Sequence, residues 1–281
     1  AIMAVRYGDG FAASRHALSY GETITEDGVE VSLVPAGHVL GSAQVVVRHK
    51  GLTMVVSGDY KRARDPTCPA FEPVPCDVFI TEATFALPVF RHPDAAGEVQ
   101  RLLASVRQFP DRCHLVGAYA LGKAQRIIAL LREAGWDGPI HVHGALEALN
   151  GLYRDFGVDL GPLLSATSGP EKKADFAGRI VVCPPGALAD RWTRRFADPL
   201  ACFASGWMRG RARARQRGVE LPLIISDHAD WDELTGTLSE LRPEEVWITH
   251  GREEALARWA RLNGLKARAL ALVGYEDEDA D

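Results

Sequence analysis

The sequence predicts an α/β fold in which one α/β unit interrupts another. Two observations carry this. Residues 1–92 hold short apolar runs with strand alternation and turn signals, and little helical periodicity. From about Pro93 the texture changes to strands alternating with helices, as in a parallel α/β unit. A third section, from 216 to the end, returns to strand, helix, strand and helix. The expected segments are therefore 1–92, an inserted unit at 93–215, and a closing part at 216–281.

The elements follow in order. Val29–Val34 alternates, and Ala43–Arg48 follows it as a second strand. Lys50-Gly51 is a turn. Leu52–Ser57 is a buried-strand run ending at Gly58-Asp59, and Asp77–Glu82 is another. Ala95–Gln108 places Val99, Leu102, Leu103 and Val106 on one helical face. His114–Gly117 reads as a strand and Gly122–Ala134 as a helix. Ile140–His143, the helix Leu146–Phe156 and the strand Ile180–Cys183 complete the inserted unit. The closing part is Leu223–Ser226, a helix Asp230–Leu241, the strand Val246–Thr249 and a helix Glu253–Asn263. The acidic tail Glu276–Asp279 is expected to fray.

Composition bounds the function. The 281 residues are 47% hydrophobic and 25% charged, enough for a real core. A net charge of −5 makes the chain as a whole no magnet for nucleic acid, so local charge matters more than the sum. The five cysteines, Cys68, Cys76, Cys113, Cys183 and Cys202, form no CxxC, which points to reduced thiols and a cytoplasmic protein. No apolar stretch reaches the roughly 18 residues of a membrane span, so no membrane partner is expected. Ala1–Tyr7 reads as the late part of an amphipathic helix already under way, so an upstream segment is expected.

Acidic and histidine residues recur where apolar runs end. His38 sits in Gly37-His38-Val39-Leu40-Gly41-Ser42-Ala43, where glycines permit a tight turn and leave the imidazole approachable. A histidine that merely occupies a turn reads the same way. Asp59 ends a strand; it could bridge two cations or simply terminate the strand. Glu82, in Thr81-Glu82-Ala83-Thr84, has a helix-capping alternative. His228 lies in Ser226-Asp227-His228-Ala229-Asp230, ahead of a helix with Asp232 and Glu233 in its first turn. His250 lies in Thr249-His250-Gly251. Histidine and aspartate are ligand types that zinc and similar divalent metals prefer, and strand ends can gather distant residues at one sheet edge.

These strings resemble the metallo-β-lactamase fold and, within it, the β-CASP nucleases. Gly37–Ala43 resembles the family's GH-x-x-GSA segment, Gly58-Asp59 its bridging aspartate, and Thr249-His250-Gly251-x-x-Glu its last motif. Ala118–Arg126, with Gly122-Lys123-Ala124-Gln125, and Ser205–Arg209 resemble one bacterial branch, the DNA-ligase-associated exonucleases, across nearly the whole chain. The resemblance implies an αββα sandwich, incomplete at its N-terminus, with an inserted β-CASP domain. It implies two zinc ions, with manganese also suited, whose hydroxide attacks phosphorus. His38, Asp59 and His250 would be ligands. His228 would be the general acid, oriented by Glu82.

The family's His-x-His-x-Asp-His is absent from the 281 residues. With three ligands the chain is expected to bind metal weakly and cleave little, and the parent protein to carry the motif upstream. The implied partner is a DNA or RNA single strand or end, with DNA ligase and helicase of the same pathway as further partners. The expected activity is a DNA exonuclease in repair. His250 favours RNA processing instead, since DNA-acting relatives often carry valine there. An inactive nucleic-acid-binding scaffold and a hydrolase of small esters or lactams are the other readings.

Arg209, Arg211, Arg213, Arg215 and Arg217 alternate beside Trp207. They form either a solvated face or a phosphate track, with Trp207 for stacking and Lys123 as a further contact. His141-Val142-His143 is expected to hold no metal, for want of further ligands.

Overall fold

The computed structural model describes residues 1–168 and 172–270, without the side chains of 174, 211 and 213. The acidic tail lies outside the described residues. In chain order the elements are α1 (Ile2–Tyr7), β1 (Thr23–Glu26), β2 (Val29–Pro35), β3 (Ala43–His49), β4 (Leu52–Val56) and β5 (Val78–Ala83). Then come α2 (Ala95–Gln108), β6 (His114–Gly117), α3 (Lys123–Glu133), β7 (Ile140–Val142), α4 (Gly144–Asp155), β8 (Leu163–Ser165) and β9 (Ile180–Cys183). Last are β10 (Leu200–Ala204), α5 (Arg211–Gln216), β11 (Leu221–Leu223), α6 (Trp231–Leu241), β12 (Glu245–Gly251), α7 (Glu253–Leu262) and β13 (Lys266–Ala269).

These form two compact units. One joins Ala1–Arg15 to His92–Ser226; the other joins His16–Arg91 to the chain from Asp227 onward. Residues 216–226, expected in the closing part, group with the inserted unit because β11 pairs in parallel with β10. Residues 1–15 group there too, as α1 contacts α4. The sequence predicts a strand over Leu223–Ser226, but pairing stops at Leu223. Beyond it, β10 ends at Ala204 and Ile224 N–H donates to the Glu98 carboxylate at 2.7 Å.

In the second unit the sheet order is β1-β2-β3-β4-β5-β12-β13. β1 to β4 pair antiparallel, and β4, β5, β12 and β13 pair in parallel. Val46, Val55, Phe79, Val246 and Ile248 bury their sides of these strands against Leu234 and Leu238 of α6 and Leu256, Ala257 and Ala260 of α7. That periodic burial is what the sequence spacing of α6 and α7 provides. Burying each large side chain contributes about 1.5–3 kcal/mol.

The other unit is a six-stranded, all-parallel sheet of order β11-β10-β6-β9-β7-β8. Its central strands are buried along their whole length, as sheets covered on both faces require. All five cysteines are free thiols, and burial pushes Cys183 up to about 12 and Cys76 up to about 11, so neither is poised as a nucleophile. Among the described residues no helix is long and apolar enough to cross a membrane.

Candidate metal centre

Three loops of the seven-stranded unit bring His38, Asp59 and His228 together. Among the described residues their ligand-type atoms lie within 4.8 Å of one another. The local sequence explains each position.

His38 follows Gly37, whose φ is +73°. A Cβ there would sit 2.2 Å from the Lys61 carbonyl oxygen, so only glycine lets these two backbones approach. Ser42 closes the turn: its hydroxyl accepts from the N–H groups of His38 and Val39, both at 3.1 Å. The His38 ring is fixed by its Nδ1, 3.0 Å from the Asp227 carbonyl oxygen. A carbonyl can only accept, so Nδ1 carries the proton. In the neutral ring the lone pair is then on Nε2, which faces Asp59 Oδ2 at 3.9 Å.

Asp59 follows β4 on Gly58, with its carboxylate 39% exposed. Its Oδ1 lies 3.9 Å from His228 Nδ1, and the His38 and His228 ring centroids are 4.7 Å apart. One carboxylate thus faces two imidazoles.

Glu82 ends β5 and is buried. Its Oε1 accepts from Tyr60 N–H at 2.8 Å. Its Oε2 accepts from the Thr84 hydroxyl at 2.5 Å and from His228 Nδ1 at 3.1 Å. Burial opposes its ionisation, but the charge of His228 and the three hydrogen bonds outweigh burial and hold the carboxyl below its usual range. An ionised Glu82 fixes the His228 tautomer with hydrogen on Nδ1, leaving Nε2 as the working atom.

Glu233 ties the Asp59 loop to the turn that carries His228. It accepts from the N–H groups of Arg62 (3.1 Å), Ala63 (2.6 Å) and Asp230 (2.9 Å), and from Lys61 Nζ at 2.5 Å. Asp230 in return caps α6 by accepting from Glu233 N–H at 3.0 Å.

His250 is exposed, outside the three-residue cluster, at a bulge where β12 shifts register against β5. Its φ of +57° is uncommon for a residue with a Cβ, and Gly251 beside it packs directly on the Ala83 carbonyl. Lys123 is 3% exposed, with its ammonium 5.1 Å from the Tyr119 ring centroid rather than out in solvent. Trp207 is half-buried, and Arg209 and Arg215 are exposed. Arg217 lies over the Phe203 ring. The side chains of Arg211 and Arg213 lie outside the described residues. His141 is buried against Phe176, and His143 caps α4 by accepting from Ala145 N–H and packs on Trp192.

Sequence reasoning missed the Asp227 carbonyl, since a backbone acceptor leaves no residue-type signal. It also missed Glu233 as the loop's anchor, although Asp230-x-x-Glu233 is a readable capping box.

No family model matches the chain. It is 27% identical over 91% of its length to a protein named "Probable DNA ligase" from Opitutus terrae, covering 25% of that protein. It is 33% identical over 92% of its length to cleavage and polyadenylation specificity factor subunit 3 of Dictyostelium discoideum, covering 40% of it. Over 42% of its length it is 33% identical to endoribonuclease YSH1 of Gibberella zeae, covering 14%. The chain thus spans less than half the length of each of these relatives. A crystal structure of an Enterococcus faecalis protein of unknown function shares the fold, with a TM-score of 0.59 and 16% identity over 94% of this chain and 67% of that one.

Proposed function

We propose that the chain belongs to a metal-dependent nuclease that hydrolyses phosphodiester bonds. In this reading the seven-stranded unit is the metallo-β-lactamase domain and the six-stranded unit the β-CASP domain. The observation that carries it is the convergence of His38, Asp59 and His228, with Glu82 behind His228. Likeness to proteins named as an endoribonuclease and a cleavage factor supports nuclease chemistry.

The donor set fits a metal. His38 and Asp59 offer an imidazole nitrogen and a carboxylate, ligand types that zinc and manganese accept, while His228 beside them serves proton transfer. When bound, the metal supplies charge against the phosphoryl oxygens and an activated nucleophile at neutral pH. A second ion would need further ligands, for which His250 is the candidate on this chain.

The chain's residues divide the remaining work. His38 presents Nε2 because Asp227 holds its Nδ1–H. Asp59 offers two oxygens. His228, charged against Glu82, gives its Nε2 proton to the leaving oxygen while Nδ1–H stays on Glu82.

For the substrate we favour DNA, which likeness across 91% of the chain to a protein named "Probable DNA ligase" supports, and in this reading the protein is an exonuclease acting in cytoplasmic repair beside a ligase and helicase. RNA processing is the second reading, favoured by Thr249-His250-Gly251 and by the YSH1 likeness. Digestion of end-labelled single-stranded DNA and RNA by the full-length protein, with and without zinc, tests both. Faster loss of DNA from one end supports the first reading, and preferential RNA cleavage the second. Cleavage of neither strand with zinc present overturns the nuclease reading.

A further inference from the structure

In the six-stranded sheet β6 marks a reversal of direction. From β6 the chain runs to β7 and β8 on one side. After β9 it crosses to β10 and β11 on the other. Open parallel sheets bind ligands outside the carboxyl ends of their strands at such a point. Here that place is filled by Ala118-Tyr119-Ala120-Leu121-Gly122.

Tyr119 is 51% exposed, although Ala118 and Ala124 near it are fully buried. Its backbone is pinned on both sides. Ala118 N–H donates to the Cys183 carbonyl at 2.8 Å, and Ala124 N–H donates to the Tyr119 carbonyl at 3.0 Å. Gln125 spans the loop, accepting from Gly122 N–H at 2.8 Å and donating to the Ala120 carbonyl at 3.0 Å and the Asn150 side chain at 2.7 Å. The buried Lys123 ammonium lies over the ring. A large aromatic surface is thus held open to solvent on a rigid loop beside a fixed cation. The neighbouring strand β10 leads into the half-buried Trp207 and the exposed Arg209.

We propose that Tyr119 is a stacking platform for an unpaired nucleobase of a single-stranded nucleic acid, with Arg209 facing the phosphate. The assignment rests on the nucleic-acid reading above. It gives Lys123 a role other than direct phosphate contact: orienting the platform. Rings on rigid loops suit this task because every base has a π-face.

The test is binding of fluorescein-labelled DNA and RNA single strands, by anisotropy at several salt concentrations. A strand carrying 2-aminopurine reports stacking by loss of its emission. Tyr119→Ala is expected to weaken binding on the order of ten-fold with an unchanged salt slope, and to abolish the 2-aminopurine quenching. Tyr119→Phe should restore both. Arg209→Ala should lower the salt slope by about one. Unchanged affinity and quenching in Tyr119→Ala, in a protein that binds strands, overturns the platform and leaves the nuclease reading standing. A wild-type protein that binds neither strand overturns both.

Discussion

His228 and Glu82 are joined by a 3.1 Å hydrogen bond from Nδ1 to a buried carboxylate. That bond fixes a hydrogen on Nδ1. It also separates His228 from His38, whose Nδ1 meets a neutral carbonyl instead. A neutral acceptor leaves an imidazole suited to ligate; an anionic one favours an imidazolium suited to donate a proton.

The two histidines should therefore respond differently to removal. His38→Ala is expected to weaken zinc binding by more than the roughly 10–100-fold that loss of a supporting partner costs. His228→Ala is expected to leave zinc affinity within a few-fold and to lower the rate. Calorimetric titration of both variants checks this. Equal loss in the two would make His228 a ligand.

Glu82→Gln keeps the shape but removes the charge that supports the His228 proton. In the proposed full-length nuclease, cleavage should fall by about 10²–10⁴-fold, the span of general acid catalysis, with zinc affinity little changed. Single-turnover rates on a labelled strand measure it. A rate near wild type would mean that Glu82 has no part in proton donation.

Glu233→Gln leaves the Lys61 ammonium without its partner in a site where the two side chains are 6% and 16% exposed. Breaking a buried pair costs about 3–5 kcal/mol, and urea denaturation should show a loss of that order. Lys61→Met should cost less, because Glu233 keeps its three backbone donors. Hydrogen exchange should quicken at Arg62 and Ala63 in Glu233→Gln, and protection equal to wild type would contradict the anchoring role.

Glu220 offers a pH test of the six-stranded unit. Paired hydrogen bonds from Arg112, at 2.9 and 3.0 Å, hold its carboxyl below the usual range. A lowered folded value means the stabilisation is fully present above the unfolded value of about 4.3 and is lost as pH falls through the folded one. The melting-temperature gap between wild type and Glu220→Gln should therefore narrow as pH falls from about 6 to 3. A gap that stays constant would contradict the pairing. Glu220 is half exposed, so the gap should be small.

Much of the fold was legible because its signals are local. Ala95–Gln108, His114–Gly117 and Ile180–Cys183 form with the expected bounds, since each is a periodic or continuous apolar run between breakers. β10 and β13 were missed. Leu200–Ala204 follows a proline and is stabilised by its neighbours β6 and β11, and Lys266–Ala269 is an edge strand with charged residues. For the site, the strings around His38, Asp59, Glu82 and His228 marked residues that do converge, because strand ends set their places. The sequence could not show that His250 stands outside the cluster, which depends on a bulge in β12. Nor could it show Lys123 buried, with its ammonium 5.1 Å from the Tyr119 ring centroid.

Whether His38 and Asp59 hold a metal is decided by zinc titration into the protein and into a His38→Ala/Asp59→Asn variant, each checked for folding by circular dichroism. A saturable zinc site is expected in the wild type, and the double variant should lack it while keeping its fold. Zinc uptake equal in both, or absent from the wild type, would contradict the assignment.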